Sequence, residues 1–115
     1  MEKHIYFDNA ATTFIDKSVL NEMEPFLKNF FGNPSSIYKY SSIPIKAISL
    51  ARERVSLAIG ANHSEIYFTS GGSESNNWAI IGSALRNSGK GKHIITSKIE
   101  HHAVLHTFEY LEKRH

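Results

Sequence analysis

Residues Thr69 to Asn77 read TSGGSESNN, two glycines among small hydroxylated side chains, set between the apolar run IYF and the helical-looking run WAIIGSAL. A helix start offers about four amides without intrahelical acceptors and roughly half a positive charge. It therefore suits an anion such as phosphate. Gly71 and Gly72 would let the backbone approach such a ligand closely, and Ser70 and Ser73 bring hydroxyl donors. The pattern is neither the dinucleotide fingerprint nor the P-loop, since the lysine and the glycine spacing of those motifs are missing. The same residues would equally serve a plain helix start, with a glycine turn and a cap from Ser70 or Ser73.

The second chemical stretch is KIEHHAVLH, Lys98 to His106. His102 and His106 stand four apart and could face a metal from one helix side. No H-E-x-x-H pattern accompanies them, so no metal is expected. His101 is the better candidate, because an imidazole at a crevice mouth can stack on a flat ligand or move protons.

The elements that must position these residues follow from periodicity and breakers. HIYF, His4 to Phe7, predicts a short strand or extended arm, ended by DNAATT. Asp16 is the expected N-cap of a helix whose apolar side carries Val19, Leu20, Met23, Phe26, Leu27 and Phe30 up to Gly32, with Pro25 kinking or dividing it. FGNPSS reads as a loop, with Gly32 free to turn left-handed and Pro34 driving Asn33 toward extended geometry. Pro44 suits the first turn of a second helix that ends at Gly60. EIYFT (65–69) and HIITS (93–97) predict strands, a helix is expected from about Ser73 to Leu85, and the later half of SKIEHHAVLHTFEYLEKR (97–114) reads as helical. The alternation predicts an α/β fold with a mostly parallel sheet. In such a sheet the loops after the strands share one edge, which would bring the glycine turn and His101 together. Two or three strands cannot cover both faces of a parallel sheet, so apolar residues such as Ile80, Ile81, Ile94 and Ile95 are expected to want partners beyond the chain.

Composition narrows the function classes. Thirteen Lys plus Arg against eleven Asp plus Glu leave a net charge of +2 without a basic cluster, which argues against a nucleic-acid partner. No apolar run approaches the ~20 residues of a membrane span, and MEKHIYFDNAATT lacks the layout of a secretory signal. The expected location is cytoplasmic. With no cysteine, the chain supplies neither a disulfide nor a catalytic thiol.

Four separated motifs, YFDNAATT (Tyr6–Thr13), FGNPSS (Phe31–Ser36), FTSGGSESNN (Phe68–Asn77) and KGKHIITSKIEHHAVL (Lys90–Leu105), together resemble the N-terminal part of cysteine desulfurases of the NifS/IscS type, in the class V aminotransferase group. The resemblance implies a partial large domain of a fold-type I, aspartate aminotransferase-like enzyme that uses pyridoxal 5'-phosphate. Residues 1–13 would form an N-terminal arm, and residues 14–115 the first part of the cofactor-binding domain. It implies that Gly72 and Ser73 hold the cofactor phosphate and that His101, in the S-x-x-E-H motif, stacks on the pyridine ring as the catalytic histidine. Asn9–Thr13 and Asn33–Ser36 would lie near the active-site entrance, although Asn33-Pro34 would equally shape a turn. The implied reaction converts L-cysteine to L-alanine and an enzyme persulfide for iron–sulfur cluster or thio-cofactor assembly. The implied assembly is a homodimer that meets a sulfur acceptor or scaffold protein.

Three departures accompany the match. Ser73 stands where many members carry threonine, and Tyr38 and Ser41 occupy a region where the family often has histidine and glycine. In the family, the lysine that condenses with the cofactor aldehyde, the acid that pairs with the ring nitrogen and the sulfur-accepting cysteine all come from beyond the point matching His115. The expectation is a segment inactive by itself, completed by further sequence or by a complementing C-terminal chain. The alternatives are another member of the group, such as a selenocysteine lyase, and a non-catalytic phosphate- or partner-binding α/β module.

Overall fold

A computed structural model describes residues 5–114. His4, the start of the expected first strand, the rest of the arm before it and His115 fall outside the described residues. The chain divides into two compact units, Met1–Ile66 and Tyr67–His115.

The first unit carries α1 (Lys17–Lys28) and α2 (Ser42–Ile59). Asp16 caps α1 as expected, its carboxylate accepting the Ser18 N–H at 2.8 Å. Ser18 donates from its hydroxyl as well, and these bonds hold the Asp16 carboxyl below its ordinary value. Pro25 does not divide the helix. The proline removes one amide from the ladder, on a helix with no buried residue, where water can take the carbonyl left over. The Pro25 carbonyl itself accepts from Asn29 and Phe30 at 2.8 and 2.9 Å, and the helix closes at Lys28, short of Gly32.

Gly32 is not left-handed; the positive φ angles belong to Gly60 and Gly91. Its requirement is room, because a Cβ there would overlap the Tyr40 carbonyl. Asn33 closes the adjoining turn through its side chain, Oδ1 accepting the Ser35 N–H at 2.8 Å, and its carbonyl takes the Ser36 N–H at 3.1 Å. Ser41, only 2% exposed, donates to the carbonyls of Ser36 and Tyr38. Pro44 sits in the first turn of α2, and Gly60 ends that helix at φ 68°, ψ 31°, a region glycine enters without Cβ strain. Arg52 Nε then donates to the Ile66 carbonyl at 3.0 Å and ties α2 to the exit of the unit.

The second unit contains α3 (Gly72–Arg86) and α4 (His102–Arg114), packed on each other. Thr107 and Leu111 are buried on α4, with Ile80 and Ile81 half-buried on α3. Tyr67 meets Trp78 edge to face at 5.2 Å.

The expected sheet is the main difference. Among the described residues there is no strand: the three stretches around 5–7, 65–69 and 93–97 form no ladder. Ile66 has extended angles, φ −96° and ψ 123°. Extended backbone becomes a strand only when a neighbour takes its N–H and C=O groups. Most apolar side chains on these stretches are bare, with Ile94 45% and Ile95 85% exposed, whereas Ile66 is buried. Among the described residues no helix is long and apolar enough to cross a membrane.

Candidate functional site

The glycine turn opens α3 as its composition suggests, but the cap is not a serine. Gly71 is the N-cap, at φ 163° and ψ 179°, extended geometry open to any residue. Helical bonding begins with the Ser75 N–H donating to the Gly71 carbonyl at 3.1 Å. Ser70, expected either to cap the helix or to donate to a ligand, is already committed. Its N–H and its hydroxyl both donate to Glu74 Oε2, at 2.6 and 2.7 Å. Those two bonds, the backbone one first, hold the Glu74 carboxyl below its ordinary value. Thr69 and Ser75 share a hydroxyl contact of 2.7 Å on the flank of the turn.

What remains uncommitted is the mouth itself. Among the described residues, the N–H groups of Gly72, Ser73 and Glu74 meet no carbonyl of the chain, and the Ser73 hydroxyl has no partner. A Cβ added at Gly71 or Gly72 would meet nothing within 4 Å. These donors can converge on an anion, and the space before the two glycines is open, so the residues fit a phosphate ester. The Glu74 charge would oppose an anion, but its Oε2 is turned to Ser70.

His101 caps α4. Its carbonyl accepts the N–H groups of Val104 and Leu105 at 2.8 and 3.1 Å, and its ring Nδ1 accepts the Ala103 N–H at 3.1 Å. A neutral imidazole with Nδ1 as acceptor carries its proton on Nε2. The cap therefore fixes both the tautomer and the ring orientation of an exposed histidine. His102 and His106 stack on each other at 5.2 Å. Among the described residues no third metal-ligating side chain joins them.

Gly72, Ser73 and His101 thus belong to one unit, on two helices packed together. The stretches Asn9–Thr13 and Asn33–Ser36 belong to the other unit, and each is a local turn, the Asp8 carbonyl taking the Ala11 N–H at 3.1 Å. Sequence reasoning missed Glu74, although a serine followed by an acid one turn later is a known helix-start signal. It also missed Asn77 and Thr107, whose side chains meet at 2.9 Å between α3 and α4; no local pattern announces that pair. A groove of about 460 Å³ lies elsewhere, along α1, lined by Ser18, Val19, Glu22, Met23, Phe26 and Leu27. It is the bare apolar side of one amphipathic helix and holds no converging polar groups.

Residues 5–115 match the family described as aminotransferase class-V. The chain is 58% identical over 113 residues to a cysteine desulfurase IscS of Clostridium botulinum, covering 98% of this chain and 28% of the relative. It is 57% identical over 110 residues to a cysteine desulfurase IscS of Methanosarcina thermophila, covering 96% of this chain and 27% of that protein. A solved structure named NifS-like protein aligns with a TM-score of 0.91 at 40% identity, over 97% of this chain and 31% of the other. This chain therefore spans somewhat over a quarter of the length of the curated relatives it matches. A match running from residue 5 to the last residue, together with relatives more than half identical, shows that the chain belongs to the class-V aminotransferase family, and its fold resembles the matching part of a NifS-like member.

Proposed function

We propose that this chain is the N-terminal segment of a pyridoxal-phosphate-dependent cysteine desulfurase, and that it supplies part of the cofactor site. Gly72 and Ser73 would hold the phosphate with their N–H groups and the Ser73 hydroxyl, and His101 would stack on the ring. When bound, the cofactor supplies an electron sink for bonds broken at the substrate carbon. The segment's own work is to hold the phosphate, orient the ring and present an imidazole beside it. Residues 1–13 act as an arm and 14–115 as the start of the large domain, whose mostly parallel sheet gathers the extended stretches 65–69 and 93–97. L-cysteine is the substrate, and a cysteine outside these residues takes the sulfur before an acceptor or scaffold protein receives it. The working enzyme is a cytoplasmic homodimer.

The observation that carries this reading is the uncommitted set of N–H groups at Gly72 and Ser73, facing open space. High identity to two proteins named cysteine desulfurase supports the choice of reaction. The test uses the complete protein that carries this segment. Gly72→Val and Ser73→Ala should each weaken pyridoxal phosphate binding about tenfold or more, and inorganic phosphate should compete less well. Sulfide release from L-cysteine should fall in parallel. Unchanged cofactor and phosphate affinity in both variants would refute the assignment.

A further inference from the structure

The connection between the two candidate places rests on a run of polar contacts through the helix interface. Asn77 Nδ2 donates to the Ser73 carbonyl at 2.8 Å, one turn back toward the mouth of α3. Asn77 Oδ1 accepts from the Thr107 hydroxyl at 2.9 Å. Thr107 is only 4% exposed, and its Oγ1 also lies 2.8 Å from the Ala103 carbonyl, one turn back on α4. The Ala103 N–H in turn donates to His101 Nδ1. Neither Asn77 nor Thr107 is among the residues assigned above to the ligand, and the run ends on two that are, Ser73 and His101.

Its physical consequence concerns register. Apolar contacts hold two helices together but tolerate sliding and rotation, whereas a buried polar pair has partners at one setting only. Asn77 stands six positions past the cap Gly71, and Thr107 six positions past the cap His101. At a rise of 1.5 Å per residue, the pair sits about 9 Å along each helix from its cap. The pair therefore fixes a single axial offset between the two caps. A ligand that places a phosphate at one mouth and a flat ring at the other is sensitive to their spacing; a ligand that fills one place alone is not.

We propose that Asn77 and Thr107 are positioning residues, a part-buried latch between the helices that sets the phosphate-gripping mouth of α3 and the His101 ring at the spacing one phosphorylated ring compound requires. The proposal rests on the reading of Gly72, Ser73 and His101 given above. The hydroxyl and the amide act through the helices, so their removal penalises only a ligand that spans both places.

The experiment compares Thr107→Val, Thr107→Ser and Asn77→Ser in the complete apoprotein. Dissociation constants are measured for pyridoxal phosphate, for pyridoxal and for inorganic phosphate, with thermal unfolding alongside. Thr107→Val and Asn77→Ser should each weaken pyridoxal phosphate about tenfold, while pyridoxal and phosphate each change less than about twofold. Thr107→Ser, which keeps the donor, should stay near wild type, and the double variant should be no worse than the worse single change. Equal losses for all three ligands would mean a merely structural pair and overturn the proposal, as would unchanged pyridoxal phosphate affinity. Should Thr107→Val fail to fold, Asn77→Ser and Thr107→Ser decide by the same criteria. Gly72→Val separates the two readings. If it weakens phosphate while the latch variants behave as wild type, only the latch falls; if it leaves phosphate unaffected, the cofactor assignment falls and the latch with it.

Discussion

Two glycine-bearing loops lead into helices in this chain, and they use glycine for opposite ends. At Gly32 the backbone closes on itself: a Cβ would strike the Tyr40 carbonyl, and Ser41 beneath it donates to the carbonyls of Ser36 and Tyr38. At Gly71 and Gly72 nothing lies within reach, and three N–H groups are left unspent among the described residues. A folded chain satisfies its polar groups wherever it can. A turn that packs tightly is therefore explained by structure, and one that leaves donors idle beside open space is the better candidate for a ligand.

The comparison breaks most sharply at Gly32. Gly32→Ala in the complete protein should cost about 2 kcal/mol, because the backbone must shift to admit the methyl group. A urea midpoint within error of wild type would remove the claim of tight packing. Ser41→Ala should cost about 1 kcal/mol for its lost hydrogen bonds, read from the same curves. Gly72→Ala should go the other way. In the first turn of a helix with open space around it, the methyl group should add about 0.5 kcal/mol of stability, while pyridoxal phosphate binding weakens. A stability loss there would show that the mouth is packed.

The smallest effect concerns pH. Glu74 has its folded pKa depressed by the two Ser70 donors. Its contribution is therefore fully present above the ordinary glutamate pKa and fades as pH falls through the depressed folded value. Because the group is exposed, the change in stability across that window should be slight. Glu74→Gln should flatten it, and an unaltered acid limb of the unfolding profile would show that the Ser70 bonds contribute nothing.

The helices were largely legible because their signals are local. Asp16, Pro44 and Gly60 mark a cap, a first turn and a left-handed stop, and each does so in the structure. Pro25 does not divide α1, which runs through it to Lys28 with one amide missing from the ladder. The strands were not realised among the described residues because pairing is a non-local property: EIYFT and HIITS have the composition of strands but form no ladder. At the candidate site, residue type pointed to the turn from Ser70 to Ser73 and to His101, and the family resemblance narrowed the turn to Gly72 and Ser73. They did not reveal that Ser70 would be spent on Glu74 or that His101 would turn Nδ1 inward to its own helix.

The amino-acid order by itself determined where the helices start and stop, which turn could receive an anion, and that no thiol chemistry originates within these residues. Those are consequences of single side chains and of their nearest neighbours along the chain. Only the tertiary structure decided that Asn77 meets Thr107 across thirty positions of sequence. That pairing depends on two distant segments coming together, and no local pattern encodes it.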